Sequence, residues 1–302
     1  MAFIVDANLA SQLVTLYAAQ AVDALQPVLV MGSLINTAYS DTPGTVGNTV
    51  NVPVPPAPGA FSSANVAEGA SVTPQAVSIT TAAIVVNTHR TLAIKIPDMS
   101  QAFTNMDIFG TYIKPAVIQV AMDIEKDIFA LYSSITTNTP TGVSATPLTD
   151  AVVDLAETEL FAAYVPPAES KFLVVSPTAY SGLRQLPAYI NAYQYGPSAE
   201  PLVTGELGRI KGFKVLRSQL VPKPASTTYN LAFASNVAAL VTRNLGTIPQ
   251  GFGAVSAPIQ FGNFGMRLIL SYDPNTFAVQ GSVDCLYGVA ILRNAYGVQV
   301  LS

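Results

Sequence analysis

The stretch KFLVVSPTAYSGLRQ, residues 171–185, sets a strand directly before a short helix. Its first five residues are a lysine and a continuous apolar run, which is typical of a buried strand. Pro177 comes two residues after this run, and proline in a first helical turn costs no hydrogen bond because that N–H has no partner in the helix. We therefore predict a strand over 171–175 and a helix over 178–185.

A second strand is predicted downstream, in GELGRIKGFKV, residues 205–215. Its glycines lack the spacing of the nucleotide-binding fingerprints, so no phosphate loop is predicted. Basic and apolar side chains alternate, which indicates a strand over 210–216. Phe213 is the only aromatic residue available for base stacking, so a solvated or inter-subunit charged edge is favoured over phosphate binding. The basic residues of this run are Arg209, Lys211, Lys214, Arg217 and Lys223.

Two helices are predicted before the strand–helix unit. From Ile113 to Ser134, apolar residues recur at spacings of three and four and form one stripe along about six turns. Pro115 suits the first turn of this helix. Residues 149–164 form a second helix, whose acidic residues lie near the positive end of the helix dipole. The Thr/Pro/Gly-rich segment between the two helices, 136–147, is a candidate subdomain boundary.

Residues 46–96 are predicted to form a long β hairpin. Val50, Val52 and Val54 alternate with other residues and therefore share one face of a strand. The alternation resumes at 77–80 and continues to Ile96, after a tip at 55–74 that is rich in Pro, Gly, Ala and Ser. An irregular segment of this length is more often functional or interface-forming than part of a compact core.

The remaining segments complete an α+β pattern without an internal repeat. Residues 7–25 have helical spacing. Strands or β-rich segments are predicted at 231–234, 266–271, 277–287, 288–295 and 298–301, and another short element at 236–243.

Charge is scarce and unevenly distributed along the chain. Charged residues make up 11% of the 302 residues and 50% are hydrophobic, whereas soluble globular proteins have about 25% charged residues. Residues 1–89 contain no lysine or arginine. Obligate interfaces bury about 2,000–5,000 Å² and resemble a core cut in half. We therefore expect extensive contacts between subunits, with the first ninety residues as extended or docked segments.

A membrane protein and an aggregation-prone protein are the alternative explanations of this composition. A spanning helix needs about 20 consecutive apolar residues, and the nearest run, 22–38, is interrupted by aspartate, proline and other polar residues. Met1–Asp6 lacks the basic start of a signal peptide. We therefore expect no membrane association. Cys285 is the single cysteine, so no internal disulfide is expected, and folding in a reducing cytoplasm is the simplest inference.

The order of strand, Ser-Pro, Ala-Tyr and short helix in VVSPTAYSGL, residues 174–183, resembles a passage of tailed-phage coat proteins. The pattern G-x-L-G-x-I-x-G-F-x-V at 205–215, followed by Ser218 and then Val221-Pro222, is similar to the same family. The resemblance covers nearly the whole chain. It implies the Hong Kong 97-like capsid fold, an α+β fold with an N-terminal arm, an extended hairpin loop, a spine helix, and peripheral and axial domains.

The resemblance also implies boundaries for these parts. They are an N-terminal arm at 1–45, the extended loop at 46–96, a peripheral domain at 97–144 with the spine helix at 107–135, an axial domain at 145–265, and a return to the peripheral sheet at 266–302.

The implied function is that of a major capsid protein. Copies of the chain would form the pentamers and hexamers of an icosahedral head that encloses double-stranded DNA, with assembly in the host cytoplasm and the virion as final location. Expected partners besides further copies are portal, scaffolding and decoration proteins, and packaged DNA contacted non-specifically. A scaffolding segment ahead of the arm is not expected. An encapsulin-like shell that encloses cargo enzymes shares the fold and is the alternative.

The net charge of −4 is in keeping with a container that does not grip DNA, because non-specific DNA affinity comes from clustered lysine and arginine.

No catalytic residue, cofactor or metal site is predicted. His89 is the only histidine, and no nucleophile motif accompanies it. The acidic residues of the spine helix are interpreted as a solvated face with Lys126 as local partner, because residues two apart on a helix point in different directions. These residues are Asp123, Glu125 and Asp127. A second acidic group, at 150–157, lacks the glycine-bearing pattern of a calcium loop.

Inter-subunit contact is predicted for residues of the hairpin and of the basic edge. They are Val50, Val52, Val54, Glu68, Arg90, Arg209, Lys211 and Lys214. Residues 46–88 contain no lysine, and the family members that weld their shells by isopeptide bonds use a lysine in the extended loop. Covalent welding from this loop is therefore not expected.

Overall fold

The computed structural model describes residues 15–19, 30–40, 47–56, 61–63, 65–76, 79–103, 108–186, 207–248, 253–261 and 264–302. In chain order the elements are α1 (Met31–Leu34), β1 (Thr49–Val54), β2 (Thr80–Val85), β3 (Thr88–Pro97), α2 (Asp98–Ala102), α3 (Ile108–Ala130), β4 (Thr141–Gly142), α4 (Asp150–Ala162), β5 (Lys171–Val175), α5 (Pro177–Arg184), β6 (Arg209–Ile210), β7 (Phe213–Arg217), β8 (Tyr229–Ala234), β9 (Ala238–Arg243), β10 (Ala254–Phe261), β11 (Phe264–Asp273), β12 (Ala278–Ile291) and β13 (Gly297–Leu301).

Three sheets organise these strands. β1 and β2 form an antiparallel pair, and β10, β11, β12 and β3 form an antiparallel sheet in that order, with β9 paired to the far end of β12. The third sheet has six strands in the order β4-β13-β8-β5-β7-β6. The combination of separate helices and mostly antiparallel strands confirms the predicted α+β class.

The long helix α3 is confirmed: it begins earlier than the apolar periodicity indicates, and within one residue of the spine helix that the resemblance implies at 107–135. It starts at Ile108, so Pro115 lies about two turns inside it, and a 3₁₀ turn at Leu131–Ser134 ends it. The predicted apolar stripe is buried, since Val117, Ala121 and Ile124 are fully inaccessible to solvent. This stripe joins the main hydrophobic core.

The strand–helix unit at 171–185 has the predicted form. β5 is buried between β7 and β8. The Ser176 hydroxyl accepts a hydrogen bond from the Ala179 N–H at 3.2 Å, and this cap starts α5 with Pro177 in its first turn.

The predicted strand over 210–216 is wrong in one respect. Two strands, β6 and β7, flank a two-residue turn at Lys211-Gly212, where both residues have positive φ. Such a turn matches the twist of a hairpin, and glycine tolerates the conformation without a steric penalty. Local alternation does not reveal the reversal, because apolar residues remain inward on both sides of it.

Strands of the C-terminal half are shared between the two larger sheets. β9 and β10, within the expected axial segment, pair with β12 and β11 in the sheet that contains β3. β13 leaves that sheet and pairs with β8 and β4. Of the helix predicted at 7–25, residues 15–19 are helical, and the others lie outside the described residues.

Candidate functional site

The hairpin of β1 and β2, called the arm root below, packs on one face of the five-stranded sheet. Val50 lies opposite Ile84, and Val52 lies two residues further along the same face. A separate hydrophobic cluster holds the root to β9. Its buried members are Val50, Val52, Ile84, Val86, Ala239 and Val241.

The tip beyond the root is exposed. Every described residue from 61 to 76 is exposed to solvent and lies outside regular strands and helices. Four large apolar side chains are exposed in or beside this tip: Phe61, Val66, Val72 and Ile79. Hydrogen bonds of the described residues 61–76 are local, as between the Gln75 amide and the Ser62 carbonyl oxygen at 2.9 Å. The tip therefore presents apolar surface and only one charge, that of Glu68.

The hairpin residues predicted as contacts differ in burial. Val50 and Val52 are buried in their own chain, so their effect on a neighbour is indirect. Val54 is half-buried and lines a cavity of about 420 Å³ between the arm root and the body. On the far side of this cavity Arg293 donates to the Pro55 carbonyl oxygen at 3.0 Å. Glu68 is exposed at the tip.

Arg90 ties the sheet to the long helix. Its guanidinium donates to both Asp127 carboxylate oxygens, at 3.0 and 3.1 Å, and to the Tyr287 hydroxyl at 3.3 Å. The Tyr287 hydroxyl donates to Asp127 as well. The hydrogen bonds that Arg90 donates to Tyr287 and Asp127 raise the pKa of Arg90, and burial raises the pKa of Tyr287. Arg90 therefore has partners within its own chain.

His89 belongs to a second cluster of charge around Asp284. Arg267 donates to both oxygens of this buried carboxylate, at 3.1 and 2.6 Å, and the His89 Nε2 lies 3.2 Å from it. The imidazole is 52% exposed. Among the described residues, no serine hydroxyl or cysteine thiol forms a hydrogen bond with the His89 imidazole. Cys285 is buried, and burial raises the pKa of its thiol to about 12. A buried thiol of this kind is inert.

The basic edge meets an acidic helix face in the same chain. The Lys211 ammonium lies 3.0 Å from Asp154 and 3.2 Å from Asp150, and hydrogen bonding to these carboxylates raises the pKa of Lys211. Arg209 and Lys214 are exposed. Of the three predicted contact residues on this edge, Lys211 is neutralised locally and the other two point to solvent.

Glu125 contradicts the predicted solvated face of the long helix. Lys126 is exposed and ion-paired at 3.1 Å with the partly exposed Asp123, as predicted, but Glu125 is fully buried. Its carboxylate accepts hydrogen bonds from the N–H groups of Met31 and Gly32, at 3.0 and 2.9 Å. Burial raises its pKa to about 7, against the opposing effect of these hydrogen bonds.

A signal for this burial is present in the sequence. Glu125 follows Ala121 by four residues and precedes Ile128 by three, so it lies on the border of the apolar stripe. The segment that covers it is 94 residues earlier in the chain, and spacing within a helix cannot predict such a partner.

The described part of the chain contains neither a group of potential metal ligands nor a helix that could span a membrane. Within it, no three His, Cys, Asp or Glu side chains are grouped so that they could hold a metal ion. None of the described helices is both long and apolar enough to cross a membrane.

A protein-family model described as phage capsid protein matches residues 80–288. Among solved structures, a chain of Mycobacterium phage Che8 is similar with a TM-score of 0.66 and 17% identity, covering 90% of both chains. The capsid of Cyanophage P-SCSP1u is similar with a TM-score of 0.61 and 16% identity, covering 88% of this chain and 86% of the other.

The holo-SrpI encapsulin complex of Synechococcus elongatus PCC 7942 is similar at a lower level. Its TM-score is 0.53 at 11% identity, with 86% of this chain and 83% of the other covered. Among curated proteins no sequence matches the chain. The structural likenesses confirm the Hong Kong 97-like fold.

Proposed function

The chain belongs to the phage capsid protein family, and on this premise we propose that its copies form the pentamers and hexamers of an icosahedral head that encloses double-stranded DNA. It is a major capsid protein, and therefore a virion component that assembles with its own copies into a shell. The geometry of the pentamers and hexamers, the enclosed DNA and assembly in the host cytoplasm are parts of the proposal.

The exposed tip is the observation that supports this assembly best. Large apolar side chains such as Val72, which is 69% exposed, gain free energy when a neighbour covers them, at about 25 cal/mol per Å² of apolar surface. The buried root and the tip with its single charge suit a segment that lies over the next subunit. Contact with neighbours through Val54, Glu68, Arg209 and Lys214 is part of the proposal.

The packaged DNA is proposed to bind only weakly to the capsid subunits. The net charge is −4, and Lys211 on the basic edge is already paired with two carboxylates. Counterion release by clustered cations is the main source of non-specific DNA affinity. Packaging through a portal, and help from scaffolding or decoration proteins, belong to the same proposal.

Particle mass and nucleic-acid content test the proposal. We expect freshly expressed protein, alone or with the other assembly proteins of its phage, to sediment as closed particles. Native particles should contain double-stranded DNA that resists nuclease until the shell is opened. A folded monomer at every concentration and salt, even with those assembly proteins, would contradict assembly.

An encapsulin-like compartment is the second candidate, on the similarity to the encapsulin complex named above. The phage chains are more similar in fold, with TM-scores up to 0.66 against 0.53. Native particles that contain a protein cargo and no nucleic acid would favour the compartment.

A further inference from the structure

Gly288 lies where the arm root crosses the five-stranded sheet. β3 begins at Thr88, which pairs with Tyr287, the residue before Gly288. The chain that enters β3 does not continue along the edge of β12. It passes over the face of β12, so that the Val85 carbonyl oxygen and the Val86 Cα lie above Gly288.

The crossing is a contact between backbones. A Cβ on residue 288 would lie 2.3 Å from the Val85 oxygen, 2.8 Å from the Val85 carbonyl carbon and 3.0 Å from the Val86 Cα. No rotation of a side chain relieves these overlaps, because all three atoms belong to the main chain. The Val85 side chain is exposed, so it points away from the crossing. Any larger residue at 288 must move the backbone of the arm root by about 1 Å to reach ordinary van der Waals separation.

Two of the neighbours of Gly288 on this face are alanines. In the pairing of β12 with β9, Gly288 lies opposite Val241 and Ala290 lies opposite Ala239. Together with the cluster beneath Val50 and Val52, they form a floor on which the arm root rests. The carbonyl of Val85 over the glycine Cα is also suited to a weak Cα–H···O contact.

We propose that Gly288 is a positioning residue for shell assembly: the missing Cβ lets the arm root rest on β12, and this contact sets the direction in which the arm leaves the body. Six-residue strands extend about 20 Å, so a tilt at the root is enlarged at the tip. The role in assembly rests on the proposed function, whereas the role in arm direction does not.

The variant Gly288→Ala tests the proposal against Gly246→Ala. A Cβ on Gly246 meets no heavy atom within 4 Å, and this residue does not have a positive φ, so its variant is a matched control. Hydrogen exchange of the subunit and electron microscopy of particles are the two readouts. We expect Gly288→Ala to speed exchange in β1 and β2 but not in β5 or β8, and to abolish closed particles or change their diameter. Gly246→Ala should behave as wild type.

A double variant distinguishes overlap with the Val85 main chain from overlap with the Val85 side chain. Val85→Ala combined with Gly288→Ala should remain defective, because the overlap is with the Val85 main chain. Rescue by Val85→Ala would overturn the proposal, as would wild-type exchange and wild-type particles from Gly288→Ala alone.

A milder variant covers the case in which Gly288→Ala does not fold. Ala290→Val adds two methyl groups beside the crossing, where Ala290 packs against the cluster of the arm root. We expect it to shift particle diameter or yield in the same direction by a smaller amount. Unchanged particles from a folded Ala290→Val, with no folded Gly288→Ala, would also overturn the proposal. Failure of the wild type to form particles would contradict the proposed function instead, and the exchange data would still decide the role in arm direction.

Discussion

At the scale of single residues, Glu125 couples the long helix to the chain segment that covers it. Its two oxygens accept the N–H groups of Met31 and Gly32, and no described basic side chain forms an ion pair with it. The pKa is raised from 4.5 to about 7 because burial penalises the charged form. A carboxyl whose pKa is raised on folding stabilises the fold fully below its unfolded pKa and loses that contribution as the pH rises through the folded pKa.

We therefore expect wild type to lose stability relative to Glu125→Gln as the pH rises through the window from about pH 4.5 to pH 7, because the glutamine side chain stays neutral. The change is on the order of 3 kcal/mol, since one pKa unit corresponds to about 1.4 kcal/mol. Urea unfolding of subunits at several pH values measures it.

Glu68→Gln is the control for the loss of one negative charge, because Glu68 is exposed at the tip. Its stability difference from wild type should not depend on pH in this window. A pH-independent difference for Glu125→Gln as well would contradict the assigned role of burial.

Val52 gives a second prediction at this scale. The side chain is 2% exposed and packs inside its own chain, so Val52→Asp places an unpaired charge in the cluster of the arm root. We expect the root to detach and assembly to fail, as a consequence of folding within the subunit and not of a lost contact between subunits. Val52→Ala should cost about 2 kcal/mol through the cavity it leaves.

Asn51→Asp places the same charge one residue away on the exposed side of β1. It should leave both unfolding and particle yield near wild type. A Val52→Asp subunit that keeps wild-type stability but fails to assemble would restore the view of Val52 as a contact residue.

At the scale of elements, the arm lacks the lysine that an isopeptide cross-link between subunits would need. Residues 46–88 contain no lysine, and an isopeptide bond needs an amine nucleophile. The nearest candidate, Lys95, lies in β3 with its ammonium 3.7 Å from Asp273, at the far side of the root. Cys285 is buried, which excludes it as a ready partner for a disulfide.

Mature particles boiled in detergent with reductant should therefore yield one band near the 31.6 kDa chain mass. A ladder of multimers with cross-linked peptides from 46–88 would contradict this prediction. A ladder seen only without reductant would indicate a role of Cys285 instead.

At the scale of the whole molecule, assembly should depend little on salt. The exposed tip has one charge, Glu68, and the ion pairs that the structure shows at Arg90 and Lys211 are internal to the subunit. At about 1 M salt the Debye length falls to about 3 Å and exposed charges are screened, whereas apolar contacts are not weakened. Particles sedimented at low salt and at about 1 M salt should therefore be equally intact. Release of subunits by salt alone would show that charged contacts dominate the shell.

The sequence by itself determined most of the elements and the fold family. Local patterns are sufficient for the long helix, for α4 and for the unit of β5 and α5, because a helix or strand with one buried face must repeat that face with its own period. The low charge and the lysine-free arm also follow from composition alone. These features need no knowledge of which segments meet.

Tertiary structure alone decided which residues meet across the chain. Val52 is buried by β9, Glu125 by residues 94 positions earlier, and Gly288 by the backbone that enters β3. The turn at Lys211-Gly212, and the pairing of β13 with β8 and β4, depend in the same way on partners distant in sequence. Periodicity specifies which face of an element is apolar, but the partner of that face is selected by packing of the whole chain, and no local pattern contains that choice.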